Sequence, residues 1–541
     1  MLTEAFVSLI LAYFGSADDE GYTCTNSPIA IVPPTDLTQP VYFPPGWTEA
    51  QPPATFQSNQ KCSWKITIPV GYYAQVVFYK KTDVGKDIFV EYPNSKIESI
   101  ANDDQNPYYL PSTFAYFLMY QSNMSGAFSF KIQWKKYPDG LRSTVRVIAG
   151  NAPIAMKPNN NFTTFQADTQ VSLTGFSLKS SDQQYLFRRT VVFAGGSTDG
   201  DFIGTLSHVL TSSNQVVTVN DKLTVYTFDV DSFIDYPLFM AQDYSDCKIY
   251  NTIRGVNCPD TGNCPIEINS VFGPSVVVTA GETSDYIFGF NYINDNSTLK
   301  VYEGQISEKH LITSITKKSY LSQFPIKINN NLKFYVLDQV RIEMLQTKQP
   351  DTSGWNKVKD GRQGFIHSYN YGFDSAQQDT DETFTTYDNE QLNFNLAMTN
   401  VDLSHFSTTL TVRVLSNGNE VFSGIYGGNY DALPPTVTAR GDTLKVSYAT
   451  VRDYTNGFLI GFSVTKDATG TTTNAPITTT TNLPNAPSSK PTPSTAKPSP
   501  TVFTTNQDLT TRSSIQTTTS SASSMSFILL TTGCALLNLL M

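Results

Sequence analysis

Few residues of this chain could do covalent chemistry, and they are scattered. Four histidines, His208, His310, His367 and His405, stand singly, and no His-Glu-x-x-His pair occurs. A zinc hydrolase of that type needs two imidazoles one helical turn apart, so the pattern is missing. A nucleophile elbow needs glycines on both sides of its serine so that the chain can turn sharply. Gly195-Gly196-Ser197-Thr198-Asp199 comes near but lacks the last glycine. The acid pairs Asp103-Asp104 and Asp381-Glu382 lie in polar stretches. Glycoside hydrolysis needs carboxyls opposed across a bond, which adjacency in sequence does not give. No phosphate loop or dinucleotide fingerprint is present. The expectation is a protein without catalytic residues or cofactor, and not an enzyme.

Metal ligands are equally sparse. Cys247, Cys258 and Cys264 cluster, but the nearest imidazole is His208 and there is no Cys-x-x-Cys, so a zinc site lacks ligands. Asp83, Asp87 and Asp103, and the run Asp199-Gly200-Asp201, read as solvated turns without the spaced oxygen ligands that calcium takes. Disulfides are the better use of sulfur. Cys24 and Cys62 are the natural N-terminal pair. Two of the three clustered cysteines should pair, and the sequence does not say which two. Cys534 falls in a terminal apolar tail.

Noncovalent binding has better candidates. Trp64 and Trp134 sit within strand patterns and read as core, and Trp355 is the fourth tryptophan. Trp47, in Phe43-Pro44-Pro45-Gly46-Trp47, precedes the strands and is a candidate ligand contact. Tyr108 and Tyr109, in Asn106-Pro107-Tyr108-Tyr109-Leu110-Pro111, are two more.

The 541 residues carry a net charge of −10 and only 16% charged residues, against about 25% in ordinary domains. Nucleic-acid binding needs clustered Lys and Arg and is not expected. Residues 1–17 read as a signal peptide, an apolar run ending Gly15-Ser16-Ala17. Residues 467–519 form a Thr/Ser/Pro-rich stretch that cannot bury a core and reads as a disordered stalk. Residues 520–541 resemble a GPI-attachment signal, with Ser520 or Ser521 as the attachment residue and a short apolar tail. The protein would then be secreted and held on the outer membrane leaflet by lipid. Asn123, Asn161 and Asn296 begin N-glycosylation sequons.

Between these ends the pattern is all-β. Aromatics are 12% of the chain, and short alternating runs such as WKITIPV and LTVRVL recur between turn residues. Three strands repeat in the same order, four times. The late one reads STFAYFLMY, DKLTVYTFD, NNLKFYVLD and DTLKVSYAT, with Phe114, Leu223, Leu332 and Leu444 in register. A middle strand (DIFVEY, RTVVFAGG, STLKVYEG, LTVRVLSNG) and an earlier one (YYAQVVFY, QVSLTGFSL, DYIFGFNYI, QLNFNLAM) recur with it. A period of about 110 residues is the size of one β-sandwich. Four sandwiches are expected, at 21–138, 145–246, 247–350 and 362–466.

The chain resembles the nematode CUB-like domain proteins, whose layout of signal peptide, CUB-like domain, further β-rich region, Thr/Ser/Pro stalk and apolar tail it follows over essentially its whole length. Cys24, the run Cys62-Ser63-Trp64-Lys65-Ile66-Thr67-Ile68-Pro69, Gly71-Tyr72 and Phe130-Lys131-Ile132-Gln133-Trp134 carry the likeness. Leu299-Lys300-Val301-Tyr302-Glu303-Gly304 echoes a strand-and-turn signature of ordinary CUB domains. The resemblance implies tandem antiparallel sandwiches on a surface protein, with an association with innate immune or stress responses and membrane rafts. The expected function is recognition of a carbohydrate or protein ligand on a microbial or host surface. A structural glycocalyx component and, more weakly, a GPI-anchored hydrolase stand as alternatives.

Overall fold

A computed structural model of the chain describes residues 22–24, 28–81, 88–100, 106–111, 115–122, 126–179, 185–211, 215–230, 234–291, 297–405, 407–427, 436–451 and 454–466. The expected signal peptide, stalk and attachment tail, with Ser520, Ser521 and Cys534, lie outside these residues, as do Asn123, Asn296, Asp83, Asp87 and Asp103.

The described chain forms four successive pairs of sheets: the first pairs two five-stranded sheets, and each of the other three pairs a five-stranded sheet with a four-stranded one, with a small two-stranded sheet beside the last pair. In one five-stranded sheet of each pair the first strand runs parallel to its neighbour, and the other pairings in that sheet are antiparallel. The late repeated strand is at the centre: Ala115–Ser122, Lys222–Thr227, Leu332–Leu337 and Thr443–Ala449. The middle repeated strand pairs with it: Ile88–Glu91, Thr190–Ala194, Thr298–Glu303 and Thr409–Ser416. The earlier repeated strand lies inside the opposite sheet: Tyr72–Lys81, Val171–Gly175, Asp285–Asn291 and Leu392–Val401. The second pair of sheets opens at Arg142–Val147, ahead of 145, and the fourth at Lys357–Val358, ahead of 362. Both openings are the parallel first strands, which are too short or too polar to announce themselves in the sequence.

Alternation decides which face goes inward. In Gln60–Thr67, Cys62, Trp64 and Ile66 are buried while Lys61, Lys65 and Thr67 face water. In Thr409–Ser416, Leu410, Val412 and Val414 are buried and Arg413 is exposed. Ser275–Ala280 departs from this and is buried at every position. Val277 packs in the core of its own sandwich, while Val276 and Val278 pack in a second cluster with Phe176 and Met240 of the preceding one. A strand covered on both faces reads as a continuous apolar run, and here the second cover is the neighbouring sandwich.

Backbone seals this second joint. Phe176 and Gly255 form a parallel bridge, and Ser177 N donates to Gly255 O at 3.1 Å. Asn257 Nδ2 donates to Pro237 O at 2.8 Å. A Cβ on Gly255 would stand 2.4 Å from the carbonyl oxygen of Gly175. Gly255→Ala must therefore push the second and third sandwiches apart, at a cost of about 2 kcal/mol or more. Gly196→Ala, whose Cβ meets nothing closer than 3.6 Å, should stay within about 0.5 kcal/mol of the wild type. Chemical denaturation of the two variants checks the contrast.

Candidate binding surface

The aromatic residues expected to touch a ligand are used inside the chain. Trp47 is buried, with Nε1 donating to Pro52 O at 2.9 Å and its ring against Tyr42 and Tyr79. Tyr108 and Tyr109 are each 1% exposed. The Arg188 guanidinium of the second sandwich lies 3.9 Å over the Tyr108 ring. Tyr109 stacks on Phe228 at 4.7 Å and 7°, and its hydroxyl donates to Asp229 Oδ2 at 2.7 Å. The expectation of ligand contact at these three residues is therefore corrected: the partner of Tyr108 and Tyr109 is the next sandwich. Burial and the Asp229 carboxylate push the Tyr109 phenol far above its ordinary range. Trp64, Trp134 and Trp355 are buried as well.

The candidate chemistry is also structural where it can be seen. Ser197 Oγ accepts from Asp199 N at 3.2 Å in a turn closed by Gly200 N to Ser197 O. A Cβ at Gly200 would collide with the Ala194 carbonyl, so Asp199-Gly200-Asp201 is a turn that needs its glycine. Among the described residues no group of three or more His, Cys, Asp and Glu gathers as a metal site. Cys24 pairs with Cys62 and Cys258 with Cys264, which leaves Cys247 as a buried thiol. Burial raises that thiol to about 11, so it is not a reactive thiolate. Asn161 is half-buried at the entrance to Phe162–Ala167, with Phe162 and Thr163 of its sequon buried.

Three histidines lie at joints between sandwiches, which their isolation in sequence did not reveal. His208 meets the Tyr92 ring of the first sandwich at 4.8 Å. His310 stacks on Phe373 at 4.0 Å, across the third joint. His367 reaches back across the same joint, with Nε2 2.9 Å from Lys327 O and Nδ1 3.4 Å from Glu303 Oε1. Lys327 O can only accept, so Nε2 carries a proton. Glu303, the next-to-last residue of the Leu299–Gly304 motif, is fully buried, and its Oε1 also accepts from Asn329 N at 2.5 Å. Burial raises the Glu303 carboxyl, opposed by His367, the Asn329 amide and Lys333. Below it, Lys333 and Asp285 form a buried pair at 3.2 Å, and Lys333 Nζ also donates to the Gly281 and Thr283 carbonyls.

Among the exposed apolar side chains of the described residues is an aromatic on a loop that sequence reasoning missed. Phe272 is 86% exposed, Val271 59%, and Ile249 on a neighbouring loop 68%. The tip is held from below. Ser270 Oγ donates to Val340 O at 2.6 Å, Ser275 Oγ to Asn269 O at 2.7 Å, and Asn251 N to Pro274 O at 2.7 Å. Gly273 turns the chain at φ 142°. Phe272, Ile249, Tyr250 and Val217 border an open depression of about 490 Å³, with Lys248 and Gln215 at its margin. The missed signal was a Val-Phe pair ahead of Gly-Pro, where a turn normally carries polar residues.

The match to known families now has a structural setting. Residues 19–138 match the CUB-like domain family, and the first sandwich is a CUB-like domain. Residues 148–228 and 245–349 match two domains of unknown function (DUF7592 and DUF7591). No curated protein matches the chain. Among solved structures, the CUB1-EGF-CUB2 region of human MASP-1/3 is similar at 9% identity, over 38% of this chain and 94% of that one, with a TM-score of 0.15. The insecticidal delta-endotoxin Cry8Ea1 of Bacillus thuringiensis is similar at 8% identity, over 58% and 55%, with a TM-score of 0.14. At those scores neither likeness bears on function. Among the described residues no helix is long and apolar enough to cross a membrane.

Two tests follow from the joints. Burial pushes the His208 ring down from 6.5 to about 4. The unfolded state therefore takes up this proton first, and stability held above pH 6.5 drains away as pH falls toward 4. His208→Phe should flatten that part of a stability-versus-pH curve. Glu303→Ala removes the acceptor of Asn329 N and the carboxyl partner of His367, while Lys333 keeps Asp285, at an expected cost of about 1–3 kcal/mol. Glu303→Gln keeps an acceptor for Asn329 and should cost less; urea titration of both variants decides.

Proposed function

We propose that this is a non-catalytic recognition protein of the cell exterior that binds a protein ligand through the apolar tip around Phe272. The observation that carries the reading is the exposure of Val271 and Phe272 on a loop already fixed by hydrogen bonds. Exposed aromatic anchors supply most of the energy in protein interfaces. A loop that is already ordered loses little entropy on docking. The CUB-like domain and two disulfides support an extracellular setting. Four sandwich domains at the boundaries drawn from the repeat, secretion through residues 1–17 and lipid attachment at Ser520 or Ser521 complete the proposal. So do glycans on Asn123, Asn161 and Asn296, and a role in immune or stress response.

The test displays the full chain against an array of extracellular proteins, beside a variant carrying Val271→Ser and Phe272→Ser. The reading expects a protein ligand whose affinity falls by about 30-fold or more in the variant, from roughly 2 kcal/mol at a hot spot. A ligand bound equally by both forms would overturn it. Loss of vesicle partitioning in the variant, with no protein ligand found, would instead assign the tip to a lipid surface.

A further inference from the structure

The four-stranded sheet of the last sandwich carries a second open surface, unrelated to the Phe272 tip. Its strands lie in the order Gln363–His367, Phe458–Thr465, Leu392–Val401 and Thr436–Gly441. Register places Phe365, Gly461, Ala397 and Thr436 in one row across the sheet. The adjacent row on the same face is Gln363, Ser463, Asn395 and Thr438. The first row has a ring at one end, then no side chain and a single methyl. The result is a trough of about 470 Å³.

Both long sides of the trough are built. The Phe365 ring packs against Ile312, Tyr371 and Leu459, so the third sandwich helps fix the wall. The opposite row is a ladder of amides and hydroxyls. Thr438 Oγ1 donates to Asn395 Oδ1 at 3.0 Å, and Asn395 Nδ2 donates to Thr465 Oγ1 at 3.3 Å.

Charge and backbone together select the ligand class. Neither row contains a charged side chain, so an anionic or cationic ligand finds no counter-charge to offset its desolvation. The trough lies on a sheet face, where backbone donors and acceptors are already used in the ladder. A peptide therefore cannot add itself as a strand. Four strands about 4.8 Å apart span roughly 14 Å, room for about three pyranose rings. A sugar offers an apolar C–H face for the Phe365 ring and hydroxyls for the amide row. We infer that this trough binds a neutral oligosaccharide chain, with Phe365 as the stacking wall and Asn395, Thr438 and Gln363 as the polar side.

Gly461 provides the sharpest test. A Cβ there would sit 3.8 Å from Ala397 Cβ and 4.0 Å from Phe365 Cε1, which is ordinary contact. Gly461→Ala should therefore fold normally, and Gly461→Leu should fill the trough. The full chain is applied to an array of neutral glucan, mannan and N-acetylglucosamine oligomers, with sulfated oligomers as the charged control. The expected result is binding to at least one neutral series, weakened at least tenfold by Gly461→Leu and by Asn395→Ala. Gly461→Ala serves as the check that the substituted strand keeps its melting temperature. Absence of neutral binding, binding to the sulfated series alone, or binding unaffected by Gly461→Leu in a normally melting protein would each overturn the assignment. Because Phe272 is not involved, failure here leaves the protein-ligand reading standing, and the reverse also holds.

Discussion

Glu303 sits at full burial with one carboxylate oxygen on His367 and Asn329 N, and the other without a hydrogen-bond partner among the described protein atoms. Burying a carboxylate in this way is costly unless positive or polar groups stand close by. Here the neighbours come from both sides of a joint: Lys333 and Asn329 from the third sandwich, His367 from the fourth. Each sandwich thus completes the other's polar interior. Gly304, at φ 66°, brings the turn so near Phe373 that a Cβ would lie 2.4 Å from its ring. Withdrawal of either sandwich would break the contacts of His367 with Glu303 and Lys327 and open this buried cluster to water.

The other two joints reach the same end by other chemistry. The first is aromatic, built on Tyr73, Tyr109, Tyr137, Phe162, Tyr226 and Phe228. The second combines a backbone bridge at Gly255 with an apolar cluster around Met240 and Val276. The joints use many of the aromatic residues and three of the four histidines. What stays free is of a different kind: a fixed apolar loop tip and an uncharged sheet face. Both are surfaces for noncovalent contact, held by elements that the joints immobilise.

Much of the fold was legible because its signals are local and repeated. Leu223, Leu332 and Leu444 mark the central strand of three successive sheets, and alternation along Thr409–Ser416 gives its inward face directly. The site was less legible because burial between sandwiches is a long-range property. Tyr108 and Tyr109 resemble exposed binding aromatics until Phe228 and Arg188, more than a sheet away in sequence, are seen to cover them. Isolated histidines gave no hint that His310 and His367 meet across one joint. Conversely, nothing local in the sequence separates Phe272 from the other phenylalanines of a chain that has 34. The choice among Cys247, Cys258 and Cys264 rests on tertiary placement: Cys258 and Cys264 lie in the core of the third sandwich, while Cys247 packs in the cluster at the second joint.

The central claim is that the joints make neighbouring sandwiches open together, so that the free surfaces are presented on a fixed frame. Native-state hydrogen exchange on the full chain tests it most directly. Ile326–Ile328 of the third sandwich and Gln363–His367 of the fourth flank the Glu303 joint. The account predicts that their slowest amides share one opening free energy and the same denaturant dependence. Exchange of one strand at a clearly lower free energy, with the other unaffected, would contradict it.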